Sequence, residues 1–393
     1  MNPLRIVLVT GPDAGHAFPI IGLGVTLRDR GHDVHVGSGI GHSKLIEEAG
    51  LAFFDLPLLA PTPQDADISH RIWTRAAEMA PPLADLIADT IGQPNVIVSD
   101  TLTRAGAWAA DLLGVPWVEM VPHHLVHVSD DLPPHGLGLP PSRTPWRRWN
   151  DGRIRAAQRR SREQGWDAAR TARQRIGLEG RSHPACTLVC AVPAIEPPRS
   201  DWPNATHLVG SMGWDPPWGP LEPPSGPEPL VVVTDSTAST VHGSVAEAAL
   251  AGLEHAGVRL VVTTGRTDLS TWSNGRAVIG RSGHGPLLAA ADVAVGPGGG
   301  GFVAKALTAG VPLVLTPLMG DQRETAGRVH HAGVGVSLRP GNLRSGSLRR
   351  AVLRVLADKR FRQTARRAAR QAAQLGPELA ARLVVQEAAG GPP

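Results

Sequence analysis

Residues 216–229 read Pro-Pro-Trp-Gly-Pro-Leu-Glu-Pro-Pro-Ser-Gly-Pro-Glu-Pro, seven prolines in fourteen positions of a 393-residue chain. Proline lacks a backbone N–H and clashes with the preceding helical turn, so such a run excludes both a helix and a central strand. It reads as a stiff, extended connector. The same rhythm occurs on either side of it. Ahead of it, residues 5–10, 33–38, 52–56, 95–99 and 117–121 are short strand-like runs, and 19–30, 42–50 and 102–113 are helix-like. Beyond it, strands are expected at 230–234, 259–263, 277–279, 293–295 and 313–316. A helix is expected over 245–256, with a basic, amphipathic helical tail from 345. Continuous apolar strands alternating with helices build a parallel, doubly wound sheet with both faces covered. The expectation is two Rossmann-like α/β domains, 1–215 and 230–375, joined by the linker 216–229. Residues 376–393 form a helical tail expected to pack back on the first domain. Two such domains leave an interdomain cleft, where small ligands bind.

Domains of this size need sizeable cores, and an apolar content of 42% supplies them. The formal net charge of only +4 gives no reason to expect a nucleic-acid partner. The first residues hold just the four-residue apolar run Ile6 to Val9, which reads as a strand and not as a signal peptide. No segment approaches the roughly 18 to 20 apolar residues of a membrane span. A cytoplasmic monomer or homodimer is expected. Cys186 and Cys190 read as buried thiols ahead of a disulfide or a metal pair. Residues 143–181 break the pattern, with twelve arginines against four acids, interleaved with Trp146, Trp149 and Trp166. The segment fits a solvated helix whose arginine stems cover apolar surface, or a surface that meets anionic membrane lipid.

Three stretches carry chemistry. In Thr10-Gly11-Pro12-Asp13-Ala14-Gly15-His16-Ala17-Phe18-Pro19, glycines permit a tight turn before a helix, and His16 serves as a general base or merely caps the turn. Gly298 to Gly301 follows a strand and precedes a helix beginning near Phe302, so backbone N–H groups and the positive helix end would face an anion. Pro122-His123-His124-Leu125-Val126-His127 spaces two histidines four apart, but no third ligand is evident, and no metal site is expected. Asp65 and Asp67 form an acidic pair in a proline-rich loop, far from the glycine run.

His16-x-x-Pro19 followed by Leu23, Leu27, Arg28 and Gly31-His32-Asp33-Val34 resembles the opening motif of bacterial natural-product glycosyltransferases of the GT-B group. These are macrolide- and antibiotic-type enzymes, related to plant UDP-glycosyltransferases. The second half supports the likeness: Ala291-Asp292-Val293, Gly298 to Gly301, Ala309-Gly310-Val311-Pro312, Pro317, Asp321-Gln322 and Arg328-Val329 follow that family's order. The resemblance spans essentially the whole chain. It implies an inverting transfer of a sugar from a UDP- or dTDP-sugar to a small apolar aglycone, with no metal and no further cofactor.

It further implies that His16 is the base and that Asp100 orients it, although Asp100 also suits an N-cap. The donor would meet Ser236, Thr237, Gly298, Gly299, Gly300, Gly301, Phe302, Asp321 and Gln322, with Asp321 equally placed to cap a helix. The acceptor would meet Trp73, His123, His124 and Leu125, with Val126 and Leu137 nearby. Four positions depart from the family pattern. Pro297 stands where relatives carry a phosphate-binding histidine, Phe302 replaces a Thr or Ser, Thr325 an Asn, and Gly283-His284 a Pro-Gln. Arg281 and His284 are the candidates to replace the missing phosphate contact. Losing a charge-assisted contact costs about 1.5 to 3 kcal/mol. A sugar-nucleotide epimerase, a non-catalytic partner of another transferase and a lipid glycosyltransferase stay open as alternatives.

Overall fold

The computed structural model describes residues 2–56, 68–235, 245–266, 268–269, 277–339, 341 and 343–390. The first half contains strands β1 (Arg5–Val9), β2 (Asp33–Ser38), β3 (Ala52–Asp55), β4 (Val96–Asp100), β5 (Trp117–Val121), β6 (Cys186–Val189) and β7 (Thr206–Leu208). Its helices are α1 (Ala14–Asp29), α2 (Ser43–Glu48), α3 (Ile68–Thr90), α4 (Arg104–Leu113) and α5 (Pro145–Gln174). The second half contains β8 (Leu230–Thr234), β9 (Arg259–Thr263), β10 (Ala277–Gly280), β11 (Val293–Gly296), β12 (Leu313–Leu315) and β13 (Gly335–Ser337). Between and after them come α6 (Val245–Leu253), α7 (His284–Ala290), α8 (Gly300–Thr308), α9 (Gln322–His331), α10 (Ser345–Ala357), α11 (Lys359–Ala372) and α12 (Pro377–Ala389).

The strands form two sheets, ordered β3-β2-β1-β4-β5-β6-β7 and β10-β9-β8-β11-β12-β13. The pairings are parallel, with Ile6 beside Val34 and Val96, and Val231 beside Leu260 and Val293. The expected GT-B class, two doubly wound Rossmann-like domains, is the architecture found. β1, β4, β8 and β11 sit in the middle of their sheets and are almost wholly buried, which is why they read as unbroken apolar runs. Strand order reverses between β1 and β4 in one sheet and between β8 and β11 in the other. Helices therefore leave toward opposite faces at these two points, and a crevice opens at the carboxyl ends of the strands.

Several boundaries differ from the sequence expectation. Helix α1 begins at Ala14, five residues ahead of Pro19, which lies inside it. The proline removes one N–H bond and does not set the start of the helix. His16 is thus a first-turn residue of α1 and not part of a loop. Cys186 and Cys190 are buried free thiols, and burial pushes the Cys186 thiol up to about 12. The last helix, α12, puts Ala380, Ala381 and Val384 into the core around β1, β4 and β6. In α5, Trp166 packs inward, while Trp146 and Trp149 stack on each other at 4.8 Å and are exposed.

A buried ionic network ties the domains together. Arg328 on α9 donates to Glu196 at 2.9 Å, to the Ile195 carbonyl at 3.1 Å and to Glu324 at 2.9 Å. Glu324 accepts in turn from the Gly136 and Gly138 amides of the loop after β5. Charges so buried are tolerated because each is paired and bonded.

Candidate active site

A cleft of about 350 Å³ opens between the carboxyl ends of the two sheets. On the first-domain wall, β1 delivers the chain to α1 and β4 ends at Asp100, so the reversal of strand order brings His16 and Asp100 together. Nδ1 of His16 lies 2.6 Å from Oδ1 of Asp100. The other carboxylate oxygen accepts from the Leu102 amide and the Thr103 hydroxyl, each at 3.1 Å. Asp100 is 1% exposed and spends both oxygens, which holds its charge in place. It anchors the turn before α4 and orients His16 at once. Burial lowers the pKa of His16, but the charge and hydrogen bond of Asp100, with Asp13 and Asp321 farther off, outweigh it and raise the value. Nε2 has no partner among the described residues, so this nitrogen is available to accept a proton.

On the opposite wall, β11 leads through Pro297 into Gly298, whose φ of +102° only glycine adopts without strain. Gly299 caps α8 without a side-chain bond, leaving the first-turn N–H groups open. Lys305, one turn farther on, donates to the Trp214 carbonyl and pairs with Asp215. Asp215 also accepts from the His284 and Gly285 amides, fixing the start of α7. Its own burial raises the Asp215 pKa, but Lys305 and these amides bring the net value below the usual carboxylate range. Asp321, on the cleft wall, precedes α9, makes no capping bond and has no hydrogen-bond partner for its carboxylate among the described residues. Gln322 turns its amide oxygen back to the Leu318 and Met319 amides. Only its NH₂ is left for a ligand.

The site residues expected from sequence divide sharply. His16, His123, His284, Gly299, Gly300, Gly301, Phe302, Asp321 and Gln322 line the cleft. Ser236, Thr237, Asp65 and Asp67 lie outside the described residues. Three of the acceptor candidates lie away from the cleft lining. Trp73 stacks between Trp108 at 6.0 Å and Trp166 at 6.3 Å, in a core on the side of the domain formed by α3, α4 and α5. His124 is buried at the domain junction, bonded to His135 at 3.0 Å and to Thr325 at 3.3 Å. Leu125 packs on Val189 and Ala191. The two candidates to replace the missing phosphate contact differ in place, His284 on the cleft wall and Arg281 off it. Arg281 lies 5.9 Å over the ring of Trp218, outside the cleft lining. His284 bonds Thr263 at 2.9 Å, and burial, aided by Lys305, brings it down to about 4, so it is uncharged near neutrality.

The linker is more than a spacer. Trp214, Asp215, Pro216 and Trp218 all line the cleft, with Phe18 edge-on to both tryptophans. Sequence reasoning missed them, and it missed Lys305. The signals were two tryptophans at a proline-rich stretch and one of only three lysines, set just after a glycine run. Among the described residues, His123, His124 and Asp321 have metal-like spacing, with ligand atoms within 4.8 Å of one another. Both nitrogens of His124 are already engaged, which leaves two free donors.

Two doubly wound domains facing each other over such a cleft define the GT-B class of sugar-transferring enzymes. Residues 248–385 match the family described as "Erythromycin biosynthesis protein CIII-like, C-terminal domain". The chain is 30% identical over 425 residues to the 4'-demethylrebeccamycin synthase of Lentzea aerocolonigenes, covering 98% of this chain and 97% of the relative. It is 28% identical to the O-mycaminosyltylonolide 6-deoxyallosyltransferase of Streptomyces fradiae, over 84% of each. The solved structure of the glycosyltransferase VinC in complex with dTDP superposes with a TM-score of 0.73 at 19% identity, covering 99% of this chain and 100% of that one. The chain belongs to the antibiotic, natural-product glycosyltransferases. Among the described residues, no helix is long and apolar enough to cross a membrane.

Proposed function

We propose that this glycosyltransferase moves a sugar from a dTDP- or UDP-sugar to a hydroxyl of a small apolar natural product with inversion at the anomeric carbon. The observation that carries the reading is His16, held by Asp100, facing Gly299 to Gly301 across one cleft, with Gly298 turning the chain just outside its lining. The acceptor oxygen attacks the anomeric carbon as its proton passes to Nε2 of His16. The bond from that carbon to the diphosphate breaks on the opposite side. The leaving diphosphate takes up the bonding pair and is stabilised by the N–H groups of α8. Asp100 keeps Nδ1 protonated and stabilises the imidazolium that forms. The dTDP bound in the related VinC structure supports a nucleoside diphosphate as the leaving group. Phe18, Met212, Trp214 and Trp218 supply apolar surface in the cleft. Asp321 and the Gln322 amide are suited to the sugar hydroxyls. The chemistry asks for a base and an anion cradle and for no metal.

The test is incubation with α-linked dTDP- and UDP-sugars and a panel of apolar aglycones, with the product's anomeric configuration read by NMR. A β-linked product is expected. An α-linked product would overturn inversion. Consumption of donor without transfer to any acceptor would overturn the acceptor class.

A further inference from the structure

Resting on that reading, we infer that His123, a first-domain residue, binds the donor's diphosphate and supplies the polar side-chain contact that the glycine loop lacks. A diphosphate in the cleft needs donors besides backbone N–H groups. On the second-domain wall the polar side chains nearest the glycine loop are largely committed, and the free Gln322 NH₂ is the group suited to the sugar hydroxyls. Pro297 has neither an N–H nor a polar side chain. Lys305 is paired with Asp215 and the Trp214 carbonyl. His284 is an uncharged ring bonded to Thr263. From the facing wall, His123 reaches the loop directly. A Cβ placed on Gly300 would lie 3.0 Å from both Cα and Cβ of His123 and 2.9 Å from the Pro122 carbonyl oxygen. The first turn of α8 is thus pressed against this residue, and only glycine permits the approach.

The ring itself is set for the task. Nδ1 of His123 donates to the His124 carbonyl at 2.7 Å, so Nε2 is the nitrogen left for a ligand. The ring stands edge-on to His16 at 6.2 Å between centroids, which puts it between the base and the glycine loop. The next two residues hold its backbone: His124 is bonded to Thr325 of the other domain, and the Leu125 amide donates to Glu196. His123 therefore faces the diphosphate rather than the aglycone; with Nδ1–H given to the His124 carbonyl, Nε2 donates to a phosphate oxygen in the doubly protonated form of the ring, as an imidazolium paired with the anion.

The experiment is calorimetric titration of the full chain with dTDP, UDP, thymidine and uridine, for wild type, His123→Ala and His123→Gln, alongside KM for the acceptor. Binding of a diphosphate by wild type tests the underlying reading, and the variants test the role of His123. The expected result is a loss of about tenfold in diphosphate affinity for His123→Ala and a smaller loss for His123→Gln. Nucleoside affinity and acceptor KM should be unchanged. Equal loss for diphosphate and nucleoside would mean that the loop has merely shifted, and would overturn the inference. So would a rise confined to acceptor KM, or unchanged diphosphate affinity in a variant that melts at the wild-type temperature. If His123→Ala does not fold, the His123→Gln titration decides by the same criteria.

Discussion

The two sheets place their functional elements at the same topological point and use them differently. At the β1/β4 reversal the first domain presents side chains, an imidazole and the carboxylate that holds it. At the β8/β11 reversal the second domain presents backbone, the amides of a glycine turn and a helix start, while its nearby cation is already spent on Asp215. Side-chain chemistry is written in residue identity, and backbone chemistry in conformation. The first wall can therefore be broken by removing one functional group, and the second by adding one carbon.

Replacing His16 by Ala is the largest break of the first kind. Transfer should fall by about 10³-fold in kcat/KM, within the range of general-base contributions. The affinity for dTDP or UDP should hold, because His16 is not among the groups proposed to hold the diphosphate. Steady-state kinetics with a nucleotide titration checks this, and unchanged turnover would remove His16 from the mechanism.

Next comes Asp100→Asn, with a loss of about 10²-fold, the lower end of the same range. The amide can still accept from Leu102 and Thr103, but its NH₂ turned toward Nδ1 favours the tautomer that leaves no lone pair on Nε2. The pH profile adds a sign. On the proposed mechanism His16 works deprotonated, and its pKa is raised, so the acidic limb of kcat/KM is expected above the ordinary histidine value of 6.5. Without the aspartate charge, burial dominates and the limb should move to lower pH. The raised value also makes the His16–Asp100 pair stabilising at low pH. That stability is full below the unfolded value of 6.5 and lost as pH rises through the folded one. A limb that stays in place in Asp100→Asn would mean another group sets it.

The pairing of these two residues was legible because type and place agree: a histidine shortly after the first strand and an aspartate ending a wholly buried strand. The sheets were legible for the same reason, since buried parallel strands read as unbroken apolar runs. What stayed hidden depends on neighbours that no local pattern reports. Pro19 masked a helix that begins five residues earlier. His284 sits on the cleft wall, but burial removes its charge. Trp218 lies in a proline run that specifies stiffness and is silent about which surface it rests on. Trp73, at helical spacing, looks the same from sequence whether it faces a ligand or another helix.

The second wall breaks by addition. In Gly300→Ala the new methyl meets a carbonyl oxygen and two carbons of the facing domain, all within 3.0 Å, and most of these atoms are backbone. The domains must move apart at the glycine loop. A loss of about 1 to 3 kcal/mol in stability is expected from such overpacking. Nucleotide affinity should weaken several-fold while the pH profile set by His16 keeps its position. A shifted profile would show that the two walls are coupled through His123 rather than separable. Thermal melts, nucleotide titration and pH-dependent kinetics distinguish these outcomes.

Trp73→Ala is the control with the smallest expected effect on catalysis. The side chain belongs to a stack with Trp108 and Trp166 that binds α3 to α4 and α5, with the Arg104 guanidinium 6.0 Å from its ring. Its loss opens a cavity in that layer, and stability should fall by about 3 kcal/mol. The cleft lies at the carboxyl end of the sheet, whereas this stack covers one face of it, so the acceptor KM and kcat should remain within about twofold below the melting transition, as for independent sites. A large rise in acceptor KM without a fall in melting temperature would restore Trp73 to the aglycone site. It would also show that the acceptor reaches past the first wall into the helical layer behind it.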